Sequence, residues 1–224
     1  KAEVLGTAPS LEDHGVELAR ELRMAEAAHC VLTVSDAEAR HFRDAGCQDV
    51  RVLGHGIAAQ PTPAAHGERR HLLFVGRVAE EDSPNVDSVR WFVREVMPRL
   101  DQRIGDGYVL DIVGSHSEGL VSALGGDRIT FHGRIEDIRG FYDRARVFVA
   151  PTRFSAGIPI KVQEAAAHGL PVVASELVAG QLGWGPGGEL LSAAPAEAVA
   201  AACGGRAQIA ALGAPARQAR ARAG

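Results

Sequence analysis

A regular alternation of short β-branched runs with amphipathic helical patterns is the feature that most limits the possible folds of this chain. Five strand-like runs occur at 71–77 (HLLFVGR), 108–115 (YVLDIVGS), 128–135 (RITFHGRI), 147–153 (VFVAPTR) and 170–175 (LPVVAS). A helical pattern follows each of the first four, at 85–100, 118–124, 137–145 and from Ile160 onward. Strands and helices that alternate at this spacing form right-handed βαβ units. The sequence therefore predicts an α/β fold with a doubly wound, Rossmann-like parallel sheet.

A shorter series of the same kind opens the chain. It consists of an amphipathic helix at 12–28, a strand at 30–35, a helix that Ser35 or Asp36 can cap, and a strand at 50–54. The first strands of a complete α/β layer are missing from this series. We therefore expect it to be the last part of a larger domain.

The stretch between the two series, residues 58–70, is rich in Ala and Pro and has no periodicity, which is typical of an interdomain linker. The Ala-rich end of the chain predicts a helix with a basic terminus. Four regions are therefore expected: a remnant of an N-terminal α/β domain (1–57), a linker (58–70), a Rossmann-like domain (71–202) and a helical tail (203–224).

Composition limits the class of partner. The chain has 224 residues, a net charge of −4 and only 5% aromatic residues, a balance that disfavours nucleic acid as the main ligand. Its three cysteines have no metal-ligand spacing, and their odd number fits a reducing compartment. No apolar run approaches the ~18 residues of a membrane span. We expect a cytoplasmic protein, with or without peripheral contact with a membrane.

Small or polar residues end four of the predicted strands, at Gly76-Arg77, Gly114-Ser115, Gly133-Arg134 and Thr152-Arg153. Ligands of open α/β sheets bind beyond the carboxyl ends of the strands. Any one of these glycines could simply form a tight turn between a strand and a helix. Four such ends on one edge favour a ligand crevice.

The segment GIPIKVQE, residues 157–164, contains the sharpest indication of the ligand. Pro159 suits the first position of a helix, and Gly157 lets a ligand approach the backbone. Lys161 then lies at the positive end of the helix dipole, which costs about 0.3–1 kcal/mol unless an anion is near. Glu164 shares its face of the helix. A plain surface Lys–Glu pair is the alternative, but a phosphate for Lys161 and a ribose for Glu164 favour a nucleoside diphosphate derivative.

Four segments together resemble the donor-binding domain of GT-B-fold glycosyltransferases, in particular the retaining family 4 or group 1. They are LLFVGRV, PNVDSVRWFVREVMPRL, ITFHGRIEDIRGFYDRARVFVAPTR and GIPIKVQEAAAHGLPVVAS, and they cover most of residues 71–202. The earlier segment AEAAHCVLTVSDAEARHFRDAGCQDVRVLGHGI resembles the end of that family's N-terminal, acceptor-side domain.

The resemblance implies transfer of a sugar, with retention, from a nucleotide-diphospho-sugar (UDP-, GDP- or similar) to an unidentified glycan, lipid or small-molecule acceptor. It implies no cofactor and no metal ion. Arg77 and Lys161 would stabilise the leaving diphosphate, Glu164 would hold the ribose hydroxyls, and the backbone of Gly133–Ile135 would face the base. With the strand ends, the expected donor site comprises Gly76, Arg77, Gly114, Gly133, Arg134, Ile135, Arg153, Gly157, Ile158, Pro159, Lys161 and Glu164.

Three departures from the family pattern affect the expected activity. Ala156 stands where the first of two paired glutamates is usual, although a branch with G-x-x-x-K-x-x-E fits this chain better. A lysine usual after the GR arginine is replaced by AEEDSPN, and most of the acceptor-side domain is absent. We expect little or no sugar transfer from this chain alone. A non-catalytic nucleotide-binding module is the main alternative, and a nucleotide-sugar hydrolase or epimerase would need a further acid or base.

The remaining notable side chains are interpreted as structural. Three histidines, His116, His132 and His168, have no partner visible in the sequence and are expected to be solvated or in the core. His55 is expected to be a hinge residue, and Trp91 and Phe92 to belong to the core. Trp184 is expected either at the crevice rim or over the sheet edge.

Overall fold

The computed structural model describes residues 11–54, 56–155, 159–184, 190–193 and 195–205. The chain divides into two compact units, built mainly from the residues up to Gly56 and from those after Ile57, respectively. The parallel sheet of the second unit, flanked by helices, confirms the predicted α/β Rossmann-like fold. No helix in the described ranges combines the length and the apolar character that a membrane span requires.

The described residues of the first unit form two helices and a two-stranded parallel sheet. Its elements are α1 (Leu11–Glu26), β1 (Val31–Thr33), α2 (Asp36–Asp44) and β2 (Val50–Val52). The hydroxyl of Ser35 accepts a hydrogen bond from the Glu38 amide, and the Glu38 carboxylate accepts one from the Val34 amide, each at 3.2 Å. This reciprocal pair fixes the start of α2. The buried core is small, consisting of Ala39, Cys47 and Val50.

The second unit contains a six-stranded parallel sheet in the order β5-β4-β3-β6-β7-β8. The strands are β3 (His71–Val75), β4 (Leu110–Val113), β5 (Ile129–Phe131), β6 (Ala145–Ala150), β7 (Val172–Ala174) and β8 (Leu190–Ser192). The chain starts in the middle at β3, builds to the β5 edge, and then crosses to β6. The order therefore reverses between β3 and β6, where open sheets of this kind form their ligand crevice.

Helices cover both faces of this sheet. They are α3 (Pro84–Trp91), a π-helical segment (Phe92–Val96), α4 (Met97–Ile104), α5 (Glu118–Leu124), α6 (Arg139–Arg144), α7 (Ile160–Ala167), α8 (Glu176–Leu182) and α9 (Ala196–Gly204). Alternate residues of a strand point to opposite faces. Leu72 and Phe74 accordingly belong to the core with Phe92, whereas Leu73 belongs to the core with Tyr142.

The sequence prediction and the structure differ at three elements. Pro159 precedes α7 and does not occupy its first helical position, because the helix begins at Ile160. The short elements α8 and β8 were not predicted, since seven and three residues carry too little periodicity. Of the predicted tail, the residues after 205 lie outside the described ranges.

Hydrogen bonds join the Ala- and Pro-rich stretch, residues 58–70, to other residues of the second unit. The amide of Gln60 donates to Ala167 O at 2.8 Å, and that of Thr62 donates to His168 O at 3.1 Å. The buried Arg69 guanidinium donates to Thr62 Oγ1 and to Ala64 O, both at 2.8 Å. These bonds fix the backbone of a segment whose composition alone suggests flexibility.

Candidate functional site

The three predicted glycines at the ends of β3, β4 and β5 lie side by side. The Gly76 amide donates to Val113 O at 2.9 Å, and the Gly114 amide donates to Gly133 O at 2.8 Å. Gly114 has a φ of +140°, and a β-carbon there would lie 2.2 Å from Gly76 O. Only glycine fits this close approach, so these residue types bring the strand ends together.

Arg77 follows Gly76 at the carboxyl edge of the sheet, and its side chain is 68% exposed. Its guanidinium forms an ion pair with Glu80 at 2.5 Å. Its carbonyl oxygen accepts a hydrogen bond from Asn85 Nδ2 at 3.0 Å. The Arg77 guanidinium therefore lies at the surface, whereas the Arg77 backbone is held by Asn85 in the first turn of α3.

Lys161 lies in the first turn of α7, and its side chain reaches towards β3 and α3. Its ammonium donates to Asn85 Oδ1 at 2.7 Å and lies 4.4 Å from the centre of the Phe74 ring. Burial lowers the pKa of Lys161 to about 8, because the charged form loses water contacts. Asn85 thus connects two of the predicted site residues, Arg77 and Lys161.

Glu164 is half-buried one turn further along α7. Both Glu164 and Lys161 are described, and no ion pair joins them, so the plain surface pair is not formed. Burial raises the pKa of Tyr142, and the negative charge of Glu164 adds to the effect.

Arg153 is held by an acidic residue of α3. Its Nε donates to Asp87 Oδ2 at 2.9 Å, and its Nη2 donates to the other carboxylate oxygen. Asp87 is only 8% exposed, so the carboxylate of this ion pair is largely shielded from water. The guanidinium also lies 5.9 Å from the Trp91 ring centre. Arg153 is thus fixed to the start of α3 by a two-point contact.

The other predicted site residues are dispersed along the same edge. Arg134 and Ile135 are exposed directly after Gly133, where β5 has ended. Pro159 is half-buried before α7, whereas Gly157 and Ile158 lie outside the described residues, as do Ala156 and His55. Trp184 packs against the core on the Tyr142 side of the sheet.

A buried carboxylate on the same face of the sheet was not recognised in the sequence. Asp111 of β4 is 2% exposed and contacts His132 Nε2 at 2.6 Å, His71 Nδ1 at 2.8 Å and Arg144 Nε at 3.0 Å. His132 is therefore a partly buried histidine whose partner, Asp111, could not be identified from the sequence. Burial raises the pKa of Asp111, but hydrogen bonds from Arg144 and His132 outweigh it and hold the pKa below its usual value.

Asn85 and Asp87 were also missed. The signal for them was the pattern SPNVD at the first helix start after β3, in which Ser83 caps the helix and polar residues occupy its first turn. That pattern indicates a helix start, but the partners of Asn85 and Asp87 are 76 and 66 residues away in sequence. Only the folded chain brings them together.

Comparison with known families and structures gives a consistent result. The family model "Glycosyl transferases group 1" matches residues 69–205, more than half of the chain. The search among curated proteins found no match.

Three solved structures illustrate the similarity of fold. HepE from Anabaena, in complex with UDP and glucose, has a TM-score of 0.68 and 17% identity, with coverage of 92% of this chain and 62% of that chain. Sucrose-phosphate synthase from Thermosynechococcus elongatus has a TM-score of 0.68 and 24% identity, with coverage of 99% and 61%. TarM from S. aureus has a TM-score of 0.71 and 12% identity, with coverage of 88% and 41%.

The chain spans less than two thirds of the length of each of these structures. The glycine-lined strand ends, the basic residues beside them and the family match all concern the same region of the second unit. The chain belongs to the group 1 glycosyltransferases.

Proposed function

We propose that this chain forms the donor-binding side of a retaining family 4 glycosyltransferase, which transfers a sugar from a nucleotide-diphospho-sugar to an acceptor. The observation that carries the proposal is that Asn85 contacts both the Lys161 ammonium and the backbone carbonyl of Arg77 at the carboxyl edge of β3. Two cations at the point where the strand order reverses suit a diphosphate. HepE was crystallised with UDP and with UDP-glucose, which supports a uridine nucleotide as the first donor to test.

In the proposed mechanism, Arg77 and Lys161 stabilise the diphosphate as negative charge develops on it, without a bound metal. Charges that are already in place need no reorganisation during the reaction. The pKa of Lys161, about 8 in the free protein, rises when the diphosphate binds, because an adjacent anion favours the ammonium form. Glu164 accepts hydrogen bonds from the two ribose hydroxyls, for which a carboxylate has enough lone pairs.

The direct test is calorimetric titration of the chain with UDP, GDP, ADP and UDP-glucose. Binding of one nucleoside diphosphate, competed by inorganic pyrophosphate, is the expected result. Failure of all four to bind at millimolar concentration would overturn the proposal.

A non-catalytic nucleotide-binding module is the second candidate. Ala156, in place of the first paired glutamate, favours it because a carboxylate contact with the donor sugar is lost. Release of UDP from a bound UDP-sugar distinguishes the two functions. Stable binding with no release, also after the acceptor-side domain is supplied, supports the module.

A further inference from the structure

Asn85 lies on a rigid base, the first turn of α3. The hydroxyl of Ser83 accepts a hydrogen bond from the Val86 amide at 3.2 Å, and Pro84 occupies the first turn, where its missing N–H has no cost. Val86 and Val89 are both 1% exposed and anchor the helix on the sheet. The position of the Asn85 side chain is therefore determined by a well-packed helix start.

Both polar ends of the Asn85 carboxamide are used. Nδ2 donates to Arg77 O, and Oδ1 accepts from the Lys161 ammonium. A carbonyl can only accept and an ammonium can only donate, so just one of the two amide orientations satisfies both partners. A β-carbon at Gly76 would lie 3.0 Å from Asn85 Nδ2, so the carboxamide also packs closely on the glycine turn.

The charged groups around the Lys161 ammonium leave it unneutralised. Arg77 pairs with Glu80, and Arg153 pairs with Asp87 on the same turn of α3 as Asn85. Glu164, on the same helix as Lys161, forms no ion pair with it. Among the residues that the structure describes, the hydrogen-bond acceptor of this ammonium is a neutral carboxamide.

An asparagine differs from an aspartate here in one essential respect. An aspartate at position 85 would hold the ammonium and cancel its charge, whereas an asparagine holds the ammonium and leaves the charge for a ligand. We propose that Asn85 is a positioning residue for the diphosphate, because its carboxamide keeps the Lys161 ammonium and the Gly76–Arg77 turn in place without neutralising the lysine. This inference rests on the proposed donor-binding function.

The test compares Asn85→Ala, Asn85→Asp and Lys161→Met, with Gln102→Ala as the matched control. Gln102 is an exposed carboxamide near the far end of the same continuous helical stretch. UDP affinity is measured by calorimetry between pH 7 and 9.5, where the terminal phosphate is predominantly in its dianionic form. Thermal unfolding of each variant shows whether it is folded.

We expect Asn85→Ala to weaken UDP binding about tenfold, the usual consequence of losing one hydrogen bond to a charged group. It should also move the alkaline midpoint of binding to lower pH, since the acceptor that favours the ammonium is gone. Asn85→Asp should weaken binding at pH 7 as well, but should move the midpoint to higher pH. Gln102→Ala should bind as wild type.

A double-mutant cycle separates positioning from a general loosening of the loop. In the Lys161→Met background, adding Asn85→Ala should weaken UDP binding less than it does in the wild type, because only the contact with the Gly76–Arg77 turn is then lost. A tenfold loss in both backgrounds, or an unmoved pH midpoint in both Asn85 variants, would overturn the positioning role while the wild type still binds UDP. Absence of UDP binding by the wild type would instead overturn the proposed function and this role together.

Discussion

At the scale of single residues, two cations of the site are held by partners far away in sequence. Lys161 is held by a carboxamide and Arg153 by a carboxylate, and both partners belong to the first turn of α3. The carboxamide leaves its cation charged, whereas the buried carboxylate neutralises its cation. Lys161 is therefore the cation better suited to an incoming anion, and Arg153 is better suited to fixing the loop after β6.

Glu164→Gln should weaken UDP binding while leaving 2′,3′-dideoxyuridine diphosphate unaffected. A carboxylate can accept from both ribose hydroxyls, whereas a carboxamide offers only one acceptor atom. We expect a loss of about 1.5 kcal/mol, roughly tenfold, for the ribonucleotide. Calorimetric titration with both nucleotides checks this, and equal losses for the two would contradict the ribose contact.

Asp111→Asn should lower the free energy of unfolding at pH 7 by about 1–3 kcal/mol, because the Arg144 guanidinium loses its charged acceptor. Folding lowers the pKa of the wild-type Asp111 carboxyl. The ionised carboxylate therefore stabilises the fold above the unfolded pKa of about 4, and this stabilisation is lost as the pH falls from there through the folded pKa. Urea unfolding at pH 7 and pH 3 measures both effects.

Asp137→Asn is the control for that experiment, since Asp137 forms an exposed pair with Arg139. Exposed pairs contribute little to stability. If the two variants lost equal stability at pH 7, the special role of the buried Asp111 would be wrong.

At the scale of elements, the start of α3 carries both a helix cap, Ser83, and the proposed positioning residue Asn85. Ser83→Ala removes the hydrogen bond to the Val86 amide and should cost about 1 kcal/mol of stability. It should also weaken UDP binding, because Asn85 is two residues further along. Chemical unfolding and calorimetry on the same sample measure the two effects.

Ser117→Ala is the matched variant, because Ser117 caps α5 through the Leu120 amide in the same way. It should lose similar stability and keep the affinity for UDP. A loss of affinity in both variants would show that helix capping in general, and not the turn that carries Asn85, supports the site.

The sequence predicted the elements with strong patterns and missed those with weak ones. Runs such as HLLFV and ARVFVA are buried on both sides, and their continuous hydrophobicity is typical of central parallel strands. Strand β8 is three residues long at the sheet edge, and its pairing with β7 depends on tertiary contacts. From the sequence, the candidate site was expected at strand ends and charged side chains, and this stays a prediction. The sequence did not single out Asn85, since asparagine at a helix start is common for local reasons.

At the scale of the whole molecule, the two units differ in the size of their cores. Among the described residues of the first unit, the buried apolar core consists of Ala39, Cys47 and Val50, and Leu32 and Leu53 are each 64% exposed. The second unit has an extensive core on each face of its sheet. Local opening requires less free energy where fewer apolar contacts are lost.

Amide hydrogen exchange should therefore be faster in β1 and β2 than in β3, β4 and β6. Mass spectrometry of peptides from the native chain measures this directly. Equal protection in the two units would show that the difference in core size does not set their local stability.

The contact between Gly76 and Gly114 has a consequence for how this sequence can vary. A methyl group at position 114 would meet the Gly76 carbonyl oxygen at 2.2 Å, and that oxygen is backbone and cannot rotate away. At Gly119, by contrast, an added β-carbon meets nothing within 4 Å. In a library of all single substitutions, position 114 should lose every non-glycine variant under selection for folded protein, while alanine at 119 should survive. Gly114 and Gly119 thus differ completely in their tolerance to substitution.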